Sequence, residues 1–223
     1  ERGFDVVLFE ASDRLGGQLR LAATGRTRKQ IWGVADWLIA EVDALGVDVR
    51  CGVYAEADEV TAEAPDLVII ATGGVPRDLD CGGGDLAISG WDAVSGGAAV
   101  AGDVLLFDET GASAASVYAD VLSAKGAAVR FVTPDREALT ELGPTTSSVA
   151  MRDLYKAGVT FQPDHEIACL TRYGNQIAAT LRNVLSGAET THIVDHVVAD
   201  CGLTSNADIY DTLKPLSSND GVV

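Results

Sequence analysis

The run Phe4-Asp5-Val6-Val7-Leu8-Phe9-Glu10 is apolar and β-branched over the length of a strand, ends on an acid, and passes directly into Ala11-Ser12-Asp13-Arg14-Leu15-Gly16-Gly17. A continuous apolar run suits a strand buried on both faces in a parallel sheet, and a glycine-rich turn at its carboxyl end is where such sheets meet ligands. An α/β architecture follows, and the next residues keep its alternation. Ile31, Val34, Ala35, Leu38, Ile39, Val42 and Leu45 recur with helical period, and Gly46 stands where a left-handed cap belongs. Strands are predicted over 48–51 and 67–71, the second leading into Thr72-Gly73-Gly74. A polar stretch rich in Ala and Glu lies between them.

After a loose, glycine-rich passage over 81–102 the pattern restarts. A strand over 104–108, an Ala/Ser-rich helix over 113–125 closed by Gly126, and a strand over 128–132 make a complete βαβ unit. A helix around 147–157 capped by Gly158, a strand near 159–161, and β-rich segments at 167–172, 176–182 and 192–199 read as a small antiparallel meander closing that unit.

The chain has 223 residues, 47% of them hydrophobic, enough for one large α/β domain or two small ones. Charged residues or glycine interrupt every apolar run, so no membrane span is expected. The first residues lack an initiator Met and the pattern of a signal peptide, so a cytoplasmic location is expected. A net charge of −17 repels phosphate backbones and anionic lipid, against nucleic-acid or membrane partners. Cys51, Cys81, Cys169 and Cys201 are too widely spaced for a zinc or iron–sulfur motif and read as core or free thiols.

In a dinucleotide fold a carboxylate ending the second strand accepts hydrogen bonds from the adenosine ribose. Glu10 stands in that position, although a strand ending at the surface also commonly carries a polar residue. The paired Gly16-Gly17 suits close approach of backbone to a ligand, and Arg14 suits phosphate or adenine. A G-x-G-x-x-G loop should precede such an acid by about twenty residues. Only nine residues precede Glu10, so Glu1-Arg2-Gly3 reads as the end of a first helix whose phosphate loop lies outside the chain. Gly82-Gly83-Gly84 matches the glycine pattern in letters only, since no strand leads into it.

Val7 to Leu19, taken with Leu67-Val68-Ile69-Ile70-Ala71-Thr72-Gly73-Gly74, resembles the FAD- or ADP-binding half of the flavoproteins with two dinucleotide domains. Within them the chain is most similar to the carboxyl-terminal region of the trimethylamine dehydrogenase, 2,4-dienoyl-CoA reductase and N-methylproline demethylase family. Glu141-Leu142-Gly143-Pro144-Thr145, Leu154 to Val159, Leu181-Arg182-Asn183 and Leu213 to Ser217 resemble the demethylase branch. The resemblance implies Rossmann-like parallel sheets in two nucleotide-binding-type domains, the first incomplete, with a small antiparallel β meander. Residues 1–98 with 203–223 would form a partial FAD- or ADP-binding domain, and 99–202 an inserted NAD(P)-binding-like domain.

It further implies a larger oligomeric parent whose amino-terminal barrel carries FMN and a four-iron, four-sulfur cluster, with an electron-transfer partner. The stop at Asp220-Gly221-Val222-Val223 would fall before the flavin domain's closing strand. By the same resemblance FAD or ADP would meet Glu10, Ala11, Arg14, Gly16, Gly17 and Gln18, with the backbone of Ala71, Thr72 and Gly73 passing close by. No catalytic residue and no metal ligand is expected in this chain.

The second unit departs from a nicotinamide-binding pattern. Its first turn, Asp108-Glu109-Thr110-Gly111-Ala112-Ser113, holds one glycine where a phosphate loop needs three, and sets two acids near any pyrophosphate. Like charges a few ångströms apart cost about 1–4 kcal/mol, so weak NAD(P)H binding is expected, unless Glu109 points outward and the loop tolerates it. His192 and His196 share one predicted strand but stand about 13 Å apart on it, too far for a metal. Trp32, Trp37 and Trp91 read as core and rim packing. Three functions stay open: an amine-demethylating flavin dehydrogenase, an NADPH-dependent enoyl reductase of the same family, and a non-catalytic nucleotide-binding or docking module.

Overall fold

The computed structural model describes residues 2–218, so the expectations placed on Glu1 and on 219–223 lie outside the described residues. The chain forms two compact units. The first takes the described residues up to Arg20, Lys29–Val75, and those from Thr204 onward; the second takes Leu21–Arg28 and Pro76–Leu203.

Chain order begins with β1 (Val7–Glu10), α1 (Leu19–Ala22), α2 (Trp32–Ala44), β2 (Asp48–Cys51), α3 (Ala57–Ala62) and β3 (Gly74–Pro76). In the first unit β1 and β2 pair in parallel, from Val7 opposite Asp48 to Glu10 opposite Cys51, with α2 as their crossover. Gly46, with φ +68°, reverses the chain after α2 as its position promised. A capping box between Glu56 and Glu59 starts α3 in the acidic stretch.

Residues 67–71 are not a strand. Strand character needs a neighbouring ladder, and β1 and β2 are the only partners in their sheet among the described residues. Leu67 and Ile69 stand 78% and 82% exposed. The face of α2 fares similarly: Ala35 is its one buried residue, while Val34, Trp37 and Leu38 are exposed. Trp37 is therefore not packed as the sequence suggests.

The second unit continues with β4 (Ile88–Ser89), α4 (Gly90–Ser95), β5 (Asp103–Asp108), α5 (Ser113–Ala124), β6 (Ala128–Val132), α6 (Pro144–Lys156), β7 (Thr160–Gln162), β8 (His165–Tyr173), β9 (Gln176–Asn183), β10 (Glu189–Val194) and β11 (His196–Asp200). β12 (Leu203–Ser205) pairs with β3, and α7 (Asp208–Leu213) is followed by a short 3-10 turn over Lys214–Leu216. Five strands form one parallel sheet in the order β4-β11-β5-β6-β7, while β8, β9 and β10 make the expected antiparallel meander. Successive side chains of β5 alternate between layers: Val104 and Leu106 join Val117, Leu122 and Leu154 of the helices, and Leu105 and Phe107 join Ile167, Leu181 and Val194 of the meander.

Two readings of this unit need correction. The passage 81–102 is not loose, because it contains β4, which pairs with β11, and α4, capped by the Ser89 hydroxyl. Its glycines serve packing: a side chain on Gly83 would strike the Leu170 carbonyl, and one on Gly84 the Leu79 carbonyl. The segment 192–199 is two strands, β10 in the meander and β11 in the parallel sheet. Asp195 breaks it, its carboxylate accepting from the Asp103 N–H at 2.8 Å and from Gln176 at 2.9 Å. His192 and His196 thus belong to different sheets and share no face.

Candidate functional site

Each predicted site residue of the first unit falls at the carboxyl end of β1, in the turn before α1, or in the loop before β3. Glu10 ends β1, and its carboxylate accepts the Ser12 N–H at 2.8 Å. The Ser12 carbonyl takes the Gly52 N–H at 2.7 Å, and the Glu10 carbonyl the Val53 N–H at 3.0 Å, which ties the turn after β1 to the end of β2. Ala11 and Arg14 are exposed, and Arg14 lies 3.6 Å from Asp13.

The two glycines in that turn differ in purpose. Gly16 has φ +120°, and a Cβ there would fall 2.7 Å from the Trp32 ring, so the start of α2 demands glycine. Gly17 has φ +46° with nothing within 4 Å of a built Cβ. Its backbone is open to whatever approaches.

Gln18 brings the two predicted motifs together. Its amide nitrogen lies 3.4 Å from where a Cβ on Gly73, φ +68°, would stand, so the Gly-Gly-Gln turn meets the Ala-Thr-Gly loop. That loop is held by the far end of the described chain: the Thr72 hydroxyl donates to the Asn206 carbonyl at 2.5 Å, and the Asn206 N–H to the Gly73 carbonyl at 3.0 Å. Ile70, Thr72, Gly73, Ser205, Asn206, Ala207, Tyr210 and Asp211 line an open cavity of about 400 Å³. Sequence reasoning missed Ser205, Asn206 and Tyr210, which belong to no motif and reach the loop only through the fold. Ala71 is exposed beside this cavity's lining without being part of it, and Glu10, Ala11 and Arg14 do not line it.

In the second unit the turn from β5 to α5 is where a parallel sheet offers a ligand site. Asp108 is fully buried there; Glu109 turns to Arg77 at 2.7 Å. Burial pushes the Asp108 carboxyl up to about 6, with nearby Asp200 adding to it, while donors from Thr110 and Gly111 pull the other way. Burial likewise raises Asp200, against the N–H groups of Gly202 and Ala115. The Cys201 thiol is pushed up to about 12, first by burial and then by Glu109. Among the described residues no three His, Cys, Asp or Glu side chains gather as for a metal, and no helix is long and apolar enough to cross a membrane.

A βαβ pair bearing an acid-ended strand in one unit, and a parallel sheet with a meander in the other, are consistent with a Rossmann-like nucleotide-binding fold. No protein-family profile matches the chain. It is 37% identical over its whole length to a "Probable N-methylproline demethylase" of Rhizobium meliloti, covering 33% of that protein. It is also 37% identical, again over its whole length, to 33% of an N,N-dimethylglycine/sarcosine dehydrogenase of Chromohalobacter salexigens. Among solved structures, a 2-naphthoyl-CoA reductase superposes with a TM-score of 0.87 at 22% identity, over 95% of this chain and 31% of that one, which shows the shared fold. These similarities agree with the resemblance read from the chain's motifs, and the chain spans about a third of the length of the relatives it matches.

Proposed function

We propose that this chain is the nucleotide-binding region of a larger cytoplasmic amine-demethylating flavin oxidoreductase, and that its first unit, as part of an FAD- or ADP-binding domain, holds the adenosine diphosphate portion of the nucleotide. The observation that carries this reading is the meeting of Gln18 with Gly73. Two loops distant in sequence converge, and both offer glycine backbone. The residues fit such a group: Gly17 has open space where a side chain would be, and Gly73 meets only the Gln18 amide.

In this reading Glu10 accepts the ribose hydroxyls, giving up its bond to the Ser12 N–H, and Gly17 and Gln18 approach the pyrophosphate. Arg14, exposed beside Ala11, supplies positive charge to the phosphates, while the Ala71-Thr72-Gly73 backbone, fastened by Asn206, forms the opposite wall. The bound nucleotide would supply a redox group or, as ADP, a brace. The remainder of the parent would carry the oxidising FMN, a four-iron, four-sulfur cluster and the substrate pocket, and would pass electrons to a partner protein. The names of the demethylase and the dimethylglycine/sarcosine dehydrogenase support an N-methylated amine as substrate class.

The test is titration of the full-length polypeptide, stripped of nucleotide, with FAD, ADP and NADPH. Binding of FAD or ADP, weakened about tenfold by Glu10→Gln, is the expected result. NADPH binding with turnover of an enoyl thioester would replace this reading with the reductase, and absence of any nucleotide affinity would leave a docking module.

A further inference from the structure

We propose that the turn from β5 to α5 is an anion site already filled by the protein's own carboxylates, Asp108 and Asp200, and that these two residues exclude a nucleotide pyrophosphate from the second unit. This rests on reading that unit as built on a nicotinamide-nucleotide plan. It deepens that reading by naming the groups that close the site.

β5 and β11 are neighbours in the parallel sheet, and their last residues stand opposite each other, Asp108 against Asp200. This is the carboxyl edge of the sheet, with the twelve-residue helix α5 beginning just beyond it at Ser113. In a dinucleotide fold the N–H groups of such a turn and the first turn of the helix point at phosphate oxygens. Here those of the turn, from Glu109 to Ala112, are already used. Oδ1 of Asp108 accepts the Thr110 N–H, the Thr110 hydroxyl and the Gly111 N–H, each at 3.0 Å. Asp200 takes the Gly202 N–H at 3.4 Å, and the Ala115 N–H in the first turn of α5 favours its ionised form. The turn is closely packed at Gly111, where a side chain would strike the Thr140 hydroxyl, itself bonded to Asp135 at 2.6 Å.

A second observation points to the same conclusion. Asp108 is 0% exposed, and Oδ2 of Asp108 and Oδ2 of Asp200 are both buried without a hydrogen-bond partner among the described residues. A polar pair left in this state is uncommon in a folded interior, and it sits where a ligand's oxygens would otherwise lie. Among the described residues no cation is paired with Asp108 or Asp200, and the nearby Arg77 is taken by Glu109. Tyr118 of α5 is buried nearby with its hydroxyl bonded to Trp91, Cys201 follows Asp200 on the chain, and Glu109 is drawn to Arg77. An incoming pyrophosphate would find the turn's donors taken and two acids beside it.

Isothermal titration of inorganic pyrophosphate, and separately of NADPH, into the full chain tests the proposal. Asp108→Gly frees the three donors; Asp200→Asn removes a charge at constant size; Glu109→Gln alters an acid paired with Arg77. The unmodified chain and Glu109→Gln should show no saturable binding in the millimolar range. Asp108→Gly and Asp200→Asn should each gain at least about tenfold in pyrophosphate affinity. Circular dichroism checks folding, and the near-isosteric Asp200→Asn decides the matter if Asp108→Gly does not fold. Micromolar pyrophosphate or NADPH affinity in the unmodified chain overturns the proposal, as does a folded Asp200→Asn variant without any gain. The flavin-domain reading concerns the first unit and is read by FAD or ADP, so either conclusion can fail without the other.

Discussion

Glu10, Gly16 and Asp108 show how differently single residues can be read. Glu10 and the paired glycines are legible in sequence because a strand-ending acid and a glycine turn each have a local physical reason. That Gly16 is glycine on account of Trp32 is not legible, since the contact spans a turn and a helix start. Gly16→Ala combines a left-handed backbone with a collision against the Trp32 ring, and should cost about 2 kcal/mol or more in a urea-denaturation series. Asp108 and Glu109 were expected to set two charges near a pyrophosphate; Asp108 is fully buried, whereas Glu109 is turned toward Arg77. Its carboxyl is raised from an ordinary 3.8 to about 6, so between those values the folded chain holds a proton that the unfolded chain has released. The stability linked to this group is complete at low pH and lost as pH rises through about 6. Asp108→Asn should therefore gain on the unmodified chain by up to about 3 kcal/mol between pH 4 and pH 7, measured as the difference in unfolding free energy at the two ends.

At the scale of elements, β2, α5 and β6 lie within a residue or so of their sequence positions, because each carries its own apolar pattern and is followed within two residues by a breaker, Gly52, Gly126 or Pro134. Elements defined by a partner rather than by a pattern are harder to read. Residues 67–71 have the composition of a buried strand and no ladder among the described residues, so their amides should exchange with deuterium within seconds, while those of β5 and β6 stay protected for hours. Comparable rates in both segments would mean that 67–71 is paired after all. The break at Asp195 was equally hidden: a single acid inside the β-rich run over 192–199 does not by itself end a strand, and the bonds of Asp195 to Asp103 and Gln176 mark where it divides between two sheets. Leu106, fully buried among helix side chains, is the kind of residue sequence does identify, and Leu106→Ala should lower the stability of the second unit by about 3 kcal/mol.

At the scale of the molecule, the two units differ in how much apolar surface they cover. The second has buried side chains on both faces of its sheet; the first leaves Phe4, Trp37, Leu67 and Ile69 more than half exposed. Surface of this kind marks an interface. The isolated chain should bind the dye anilinonaphthalene sulfonate strongly, and the full-length polypeptide, mole for mole, should bind much less; equal dye binding would argue that the surface is not covered by the rest of the protein. The bond from the Arg77 N–H to the Gly202 carbonyl at 3.0 Å has a consequence of another sort. The stretch between Arg77 and Gly202 starts and ends a single hydrogen bond apart, so its ends need no long connection, while Leu21–Arg28 joins the same unit separately through the bond of Arg26 to Asp120.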